Sequence, residues 1–425
     1  MSVNLWDIGR FSLGNAAAIR RVATNRAALW TGITLVLLTG IARNYDQIYF
    51  LHSPMSLIVP LVFSFFSGSF LYGILIRGLA KRHFPEARQN ESQWLTFMTL
   101  FWMTAPIAWL YAIPVERFFD SYHAAEANIA LLGLVSLWRV TLMSRILAVL
   151  FEIHFLRAIG WVLIAATLEV IVVLFIGIFF SGALSRDILR GMAGMRNSPE
   201  ESLITSVLGT TWKWSWAVLF ITAFLLSMRQ LQHQISPLPK LSEGKLPWFS
   251  LLALLLIWSV IAVVPQEEQY RFVTHAGLVD KRNYAGALAY LARHKKFDFP
   301  PGKRLEPNPY EYRIWEDLPP TINELTLRTP PWIREVYLNH LTATLSHYNS
   351  GYESLTNVEA MWLAIERLPE GRDWLLTNQN ALATQRLGFR YDKSESEAEL
   401  IAQTNILRTL CRMGMNETNL SKLFK

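Results

Sequence analysis

Up to about Pro265 the chain alternates between long apolar runs and short polar connectors rich in arginine. Beyond it no such run recurs, and apolar residues return every three or four positions instead. An α-helix rises about 1.5 Å per residue, so runs of about twenty apolar residues match the roughly 30 Å hydrocarbon core of a bilayer. Seven segments reach or approach that length: about Ala27–Ala42, Ser56–Ile76, Leu95–Val115, Asn128–Leu150, Ala158–Leu184, Trp212–Met228 and Leu246–Val264. Trp30, Trp94, Tyr111, Trp161, Trp212, Trp214 and Trp248 gather near their ends, as expected for aromatic rings at the headgroup level.

The remaining chain carries the punctuation of helices in water. "RNYAGALAYLARHKK" opens on Asn283 as an N-cap and closes on His294, Lys295 and Lys296, cations that suit a helix C-terminus. Residues 298–331 hold eight prolines and predict an extended loop pinned by Tyr310, Tyr312 and Trp315. Thr356 with Glu359, and Ser394 with Glu397, have capping-box spacing before helices that stop at Pro369 and Gly414, and a segment between them ends at Gly388. The expected fold is all-α: a polytopic helical membrane domain of about seven spans over 27–264, preceded by a cytoplasmic amphipathic segment, 1–26, and followed by a soluble α-helical domain, 265–425. Three to five amphipathic helices packed antiparallel would make up the last part.

Composition sharpens this division. Of the 425 residues 52% are apolar and only 17% charged, against roughly 25% charged in soluble domains. Residues 1–265 hold 20 Lys and Arg against 13 Asp and Glu, whereas residues 266–425 hold 20 of each. The net charge of +7 therefore belongs to the apolar region, where it reads as loop placement by the positive-inside rule, not as a nucleic-acid footprint. Arg10, Arg20, Arg21 and Arg26 precede the first run without a small-residue cleavage pattern, so the N-terminus is expected to stay cytoplasmic, in a bacterial inner membrane.

Seven spans then place Arg77, Lys81, Arg82 and Arg88 inside, the acidic segment Glu116 to Glu126 outside, and the C-terminal domain on the extracytoplasmic face. They also place Arg186, Arg190 and Arg196 outside, against the rule. A six-span alternative repairs that loop but exports Arg229, Lys240 and Lys245.

The charges inside apolar segments are the candidate chemistry. An ionised group in hydrocarbon costs roughly 2.5–3.5 kcal/mol on insertion scales, which calls for a partner. If the fourth and fifth segments form a hairpin turning at His154 to Arg157, Arg139 mirrors to about residue 172, within a helical turn of Glu169. Arg139 and Glu169 are expected as an intramembrane charge pair. Arg145 and Arg157 lie near enough to an interface to snorkel, and Glu152 and His154 complete a polar cluster at the turn.

Ser64-x-x-x-Gly68 and Ser69-x-x-x-Gly73 have the small-residue spacing of closely packed helices. His294 and His340 lack a third ligand at recognisable spacing, and the single cysteine, Cys411, is expected to pack as a small hydrophobe. No catalytic, metal or cofactor motif is readable; the expected partners are the lipid bilayer and a protein bound by the C-terminal domain.

"ALLGLVSLWRVTLMSRILAVLFEIHFLRAIGWVLIAA", from Ala130 to Ala166, resembles the closing spans of bacterial members of the Yip family of multi-span membrane proteins: a Leu-Trp segment with interspersed Arg, a short turn and an Ala-rich span. The resemblance covers about Ala27 to Leu184 and implies a compact helical membrane domain used for partner binding, not chemistry. "AGLVDKRNYAGALAYLARH" is similar to one helix–turn–helix unit of the tetratricopeptide kind, with Gly277, Tyr284 and Ala287 in corresponding places. A membrane-anchored interaction or assembly protein is the function expected; a small-molecule or ion transporter using Arg139 and Glu169 is the alternative.

Overall fold

The computed structural model describes residues 5–42, 49–52, 54–83, 91–180, 201–227, 238–300, 305, 314–345, 355–384, 397–416 and 418–420. All regular structure among them is helical apart from one isolated bridge, and the chain divides into two compact units, Met1–Glu267 and Glu268–Lys425.

The first unit opens with two short helices, α1 (Leu5–Ser12) and α2 (Ala16–Thr24), joined by a turn in which Gly14 takes a φ of 74°. The Asn15 side chain accepts from the Ala18 N–H and caps α2. Their apolar stripe, Ile8, Phe11, Ala18, Ile19, Val22 and Ala23, is buried in the main core of the unit. Then follow α3 (Ala27–Ala42), α4 (Val59–His83), α5 (Glu91–Trp102), a 3-10 segment (Ala105–Ala112), α6 (Ser121–Leu150), α7 (Phe155–Phe180), α8 (Glu201–Ser227) and α9 (Trp248–Asp280), whose residues from Glu268 on belong to the second unit.

Five helical stretches among the described residues are long and apolar enough to cross a membrane: Val59–Ile76, Gln93–Ala112, Tyr122–Leu150, Phe155–Phe175 and Trp248–Asp280. α3 is apolar but only 16 residues long. α8 is long, yet its first half carries Lys213 among hydroxyl and indole side chains and it falls outside the set. The third expected span is not one helix: α5 ends at Trp102 and the chain tightens into the 3-10 segment at Pro106, where the missing N–H breaks the α-helical ladder. Conversely, Pro265 does not end α9, which runs on to Asp280. One lost hydrogen bond is tolerated where the helix on both sides is strong.

Contacts pair the ends of these helices. Gly160, in the first turns of α7, packs against Leu226 near the end of α8, and Gly40, near the end of α3, lies against Leu57. Ala125 of α6 packs with Leu203 of α8. The Phe50 N–H donates to Gln266 Oε1 at 2.8 Å. Asn25, before α3, forms a parallel bridge with Ser242, before α9, and the Thr96 hydroxyl of α5 donates to the Pro239 carbonyl at 3.0 Å.

In the second unit, α10 (Tyr284–Ala292), α11 (Ile314–Asn323), α12 (Pro331–Leu345), α13 (Leu355–Arg367), α14 (Gly371–Thr384) and α15 (Glu397–Arg412) enclose a core with Tyr337, Trp362, Ile365, Leu375, Ile406 and Leu410 almost wholly buried. Asn283 caps α10 through the Gly286 N–H, and α15 ends at Gly414, whose φ of 97° suits glycine.

Three expectations fail in this unit. The Pro-rich stretch contains α11, with Pro319 and Pro320 inside it, because Leu318, Thr321 and Ile322 reach the core on one face. Thr356 lies inside α13 and not at its cap, while Glu359 accepts from Asn405 Nδ2 at 2.7 Å. Cys411 is exposed, since the buried stripe of α15 runs through Ala402, Ile406, Leu410 and Met413. Tyr310, Tyr312, Gly388, Ser394, Arg88, Arg186, Arg190, Arg196 and Arg229 lie outside the described residues.

Candidate functional site

α6 and α7 form an antiparallel hairpin turning through Phe151–His154, with Glu152 at a φ of 52°. Glu152 and His154 are both exposed in this turn, on no common helix, and His154 Nδ1 stands 3.3 Å from the Leu156 N–H. Arg157, in the first turn of α7, is half-buried. Arg145 does more than reach toward an interface: its Nε donates to the Gly14 carbonyl at 3.3 Å, and Trp138 Nε1, two turns earlier on the same face, donates to the Ser12 carbonyl at 3.1 Å. These two side chains fasten the α1–α2 turn to α6. A Cβ on Gly14 would come within 3.1 Å of the Arg145 side chain, which adds a packing reason for glycine there.

Deeper along the hairpin, Arg139 and Glu169 are both half-buried and each lies within the electrostatic reach of the other. No ion-pair contact within 4.0 Å joins them among the described residues. Each has a closer companion from another element. The Arg139 guanidinium sits 4.7 Å from the centroid of the Phe101 ring on α5, a cation–π distance. Glu169 has the Ser67 hydroxyl of α4 as its hydrogen-bonding neighbour, and Tyr111 of the 3-10 segment lies in the neighbourhood of Arg139.

Distance from the hairpin turn relates the two charges to each other but says nothing of Ser67, Phe101 or Tyr111, which lie 28 to 102 residues away in sequence. The nearest signal was the Ser/Gly pattern of α4. Gly68 beside Ser67 is in close approach, with Met98 and Phe101 under 3.0 Å from where a Cβ would stand, whereas Gly73 meets nothing within 4 Å. Trp102 Nε1 donates to Ser64 Oγ at 3.0 Å and Trp94 Nε1 to Ser69 Oγ at 3.3 Å, so α4 and α5 are stitched along the same polar face.

In the second unit, His294 Nδ1 lies 2.9 Å from the Tyr290 carbonyl and His340 is buried in α12. No group of three His, Cys, Asp or Glu side chains among the described residues is placed to hold a metal. Arg334, 7% exposed at its side chain, makes a two-pronged contact with Glu370, Nη2 to Oε1 at 2.6 Å and Nε to Oε2 at 3.0 Å, and also donates to the Leu327 and Thr329 carbonyls. The Arg334 hydrogen bonds hold the Glu370 carboxyl below its ordinary value. This is a latch between α12 and the start of α14, not a reaction centre. Comparison with family models, curated proteins and solved structures finds no match.

Proposed function

We propose that the protein is a membrane-embedded interaction or assembly module whose C-terminal helical unit binds another protein. The carrying observation is the division itself: a helical unit with its own buried core, drawn from a charge-balanced stretch of sequence, is appended to helices long and apolar enough to cross a bilayer. A Yip-like role in partner binding is consistent with this reading, as is the single helical hairpin of α9 and α10 around Arg282.

The paired helix ends support seven crossings. The stretches before α3 and α9 meet the start of α5 at Asn25, Ser242, Pro239 and Thr96, Phe50 beyond α3 meets the middle of α9 at Gln266, the start of α7 meets the end of α8, and the start of α6 meets the start of α8. Strict alternation through α3 to α9 is compatible with every one of these pairs. It puts Arg20, Arg26, Lys240 and Lys245 on one side, which the positive-inside rule makes cytoplasmic, and sends the chain after α9 to the other.

A reporter fused after Lys425 tests this: periplasmic phosphatase activity is expected, and fluorescence from a cytoplasm-only reporter would favour six crossings. Photo-crosslinking residues at the exposed Phe297 and Leu327 of the second unit are expected to yield a discrete protein adduct in intact cells. Smears or lipid adducts alone would count against the binding role.

A second reading, a small-molecule or ion transporter, has one observation behind it, the convergence of Arg139, Glu169, Ser67 and Tyr111 from four elements. A folded Arg139→Leu/Glu169→Leu protein that loses flux in proteoliposomes would favour it.

A further inference from the structure

The stretch from Thr24 to Arg26 is held along Ser242 by three hydrogen bonds: Ser242 N–H to the Thr24 carbonyl at 2.6 Å and Arg26 N–H to the Ser242 carbonyl at 2.8 Å, which together make the Asn25–Ser242 parallel bridge, and Ser242 Oγ to the Thr24 carbonyl at 2.7 Å. Gly244 packs so closely on Asn25 that any side chain there would collide with it. Two segments more than 200 residues apart thereby run side by side, Thr24–Arg26 against the stretch that holds Lys240 and Lys245, and Arg20, Arg26, Lys240 and Lys245 are all exposed along this edge of paired backbone. An open cleft lies within that edge, lined by Arg26, Ala27, Trp30, Glu243, Gly244 and Leu246. Trp30 and Trp248 are 58% and 67% exposed, and they stand in the first turns of the apolar helices α3 and α9.

We infer that this edge is a binding site for an anionic phospholipid of the leaflet it meets, with the phosphate at Arg26 and the acyl chains along Trp30 and the start of α3. The inference rests on the topology proposed above, which puts the edge on the cytoplasmic side. The neighbouring charges favour an anion. Asp7, the carboxylate of the adjoining helical pair, is engaged by Arg21 at 2.6 Å, and Glu243 is the one carboxylate lining the cleft. The chemistry is mixed in the way a phospholipid is mixed: cations for the phosphate, indoles for the glycerol level, apolar helix below. A soluble anion would satisfy only the first, and an acidic protein would have to lie where these helices enter the bilayer.

The test uses the full chain in an uncharged detergent, with native mass spectrometry counting bound phosphatidylglycerol against phosphatidylcholine. Wild type is expected to retain phosphatidylglycerol preferentially. Each cation near a lipid surface is worth about fivefold in affinity, so Arg20→Gln/Arg26→Gln/Lys245→Gln should weaken the tightest site by roughly a hundredfold. Glu243→Gln should strengthen it, and Arg328→Gln, on the exposed surface of the second unit, should change nothing.

Equal retention of both lipids by wild type, or a triple variant as good as wild type, would overturn the proposal. If the triple variant melts abnormally without lipid, Glu243→Gln decides instead, and a fall or no change in affinity refutes the site. Competition by inorganic phosphate at matched concentration would assign the cleft to a free anion and also refute it. The topology is scored separately, with Lys240→Cys in a Cys411→Ser background. Labelling of intact cells by an impermeant maleimide would sink the cytoplasmic placement while leaving the detergent measurement standing.

Discussion

The two units use the same large apolar residues to opposite ends. In the first, Phe66, Phe249, Leu252 and Val260 are more than 60% exposed, and the outer face of α9 is an apolar stripe. In the second, Trp362 and Tyr337 are at most 1% exposed, and the large apolar side chains left exposed, Phe297, Leu327 and Ile401 among them, are scattered over different elements instead of forming a stripe along one helix. In water, burial of apolar area is the driving force for packing. In lipid it is absent between helices, and small residues and hydrogen bonds take over.

The interior of the first unit follows that logic. Thr31, Thr99, Thr104 and Ser144 are fully buried, and each hydroxyl donates to a carbonyl three or four residues back in its own chain. Between helices, Ser64 and Ser69 of α4 accept from the Trp102 and Trp94 indoles. The lesson is that exposure in the first unit is no defect of packing. It marks the surface a bilayer would cover.

The largest difference between the units is expected on truncating matched side chains. Trp362→Ala should destabilise the second unit by about 3–5 kcal/mol, read as a large loss of the denaturation midpoint of a 266–425 fragment. Phe66→Ala, on an exposed face of α4, should stay within about 0.5 kcal/mol of wild type in detergent. Equal effects would mean that the faces of α4 are not lipid-facing. An aggregated 266–425 fragment would mean that the second unit needs the first to fold.

Next in size is a charge on the outer stripe of α9. Leu256→Arg should cost about 2.5–3.5 kcal/mol in membrane insertion, visible as protease-accessible, poorly integrated protein. Normal integration would take α9 out of the bilayer. The Arg139→Leu and Glu169→Leu cycle comes third. Because the two charges interact without touching, a coupling of roughly 0.5–3 kcal/mol is expected, with the double variant recovering folded yield lost by the singles. Strict additivity would leave Phe101 and Ser67 as their operative partners.

The smallest effect belongs to the Arg334–Glu370 latch. The folded carboxyl sits below its ordinary value of 4.5, so its contribution is present above that pH and is lost as pH falls through the depressed value. Glu370 is 44% exposed at its side chain, and solvent screening keeps the contribution to about 1 kcal/mol at most. Acid titration of the second unit should therefore show a modest loss below pH 4.5 that Glu370→Gln abolishes. A variant titrating like wild type would remove the latch from the stability of the unit.

Much of this organisation is local and hence legible in the chain alone. The positions of α4, α6, α7 and α9 follow from apolar runs, the cap at Asn283 and the stop at Gly414 from residue types with few alternatives, and the neighbourhood of Arg139 and Glu169 on the two arms of one hairpin from simple helix arithmetic. What the chain by itself leaves open is which surfaces meet. Ser67 and Phe101 come to the two charges because α4 and α5 pack against the hairpin, and Pro319 and Pro320 sit in a helix because Leu318 and Ile322 find a core. Ser242 lies beside Asn25 across more than 200 residues. Periodicity and capping act over one or two turns and so are written in consecutive residues. Partner choice is decided by the summed contacts of whole faces, and that sum exists only once the helices are folded against one another.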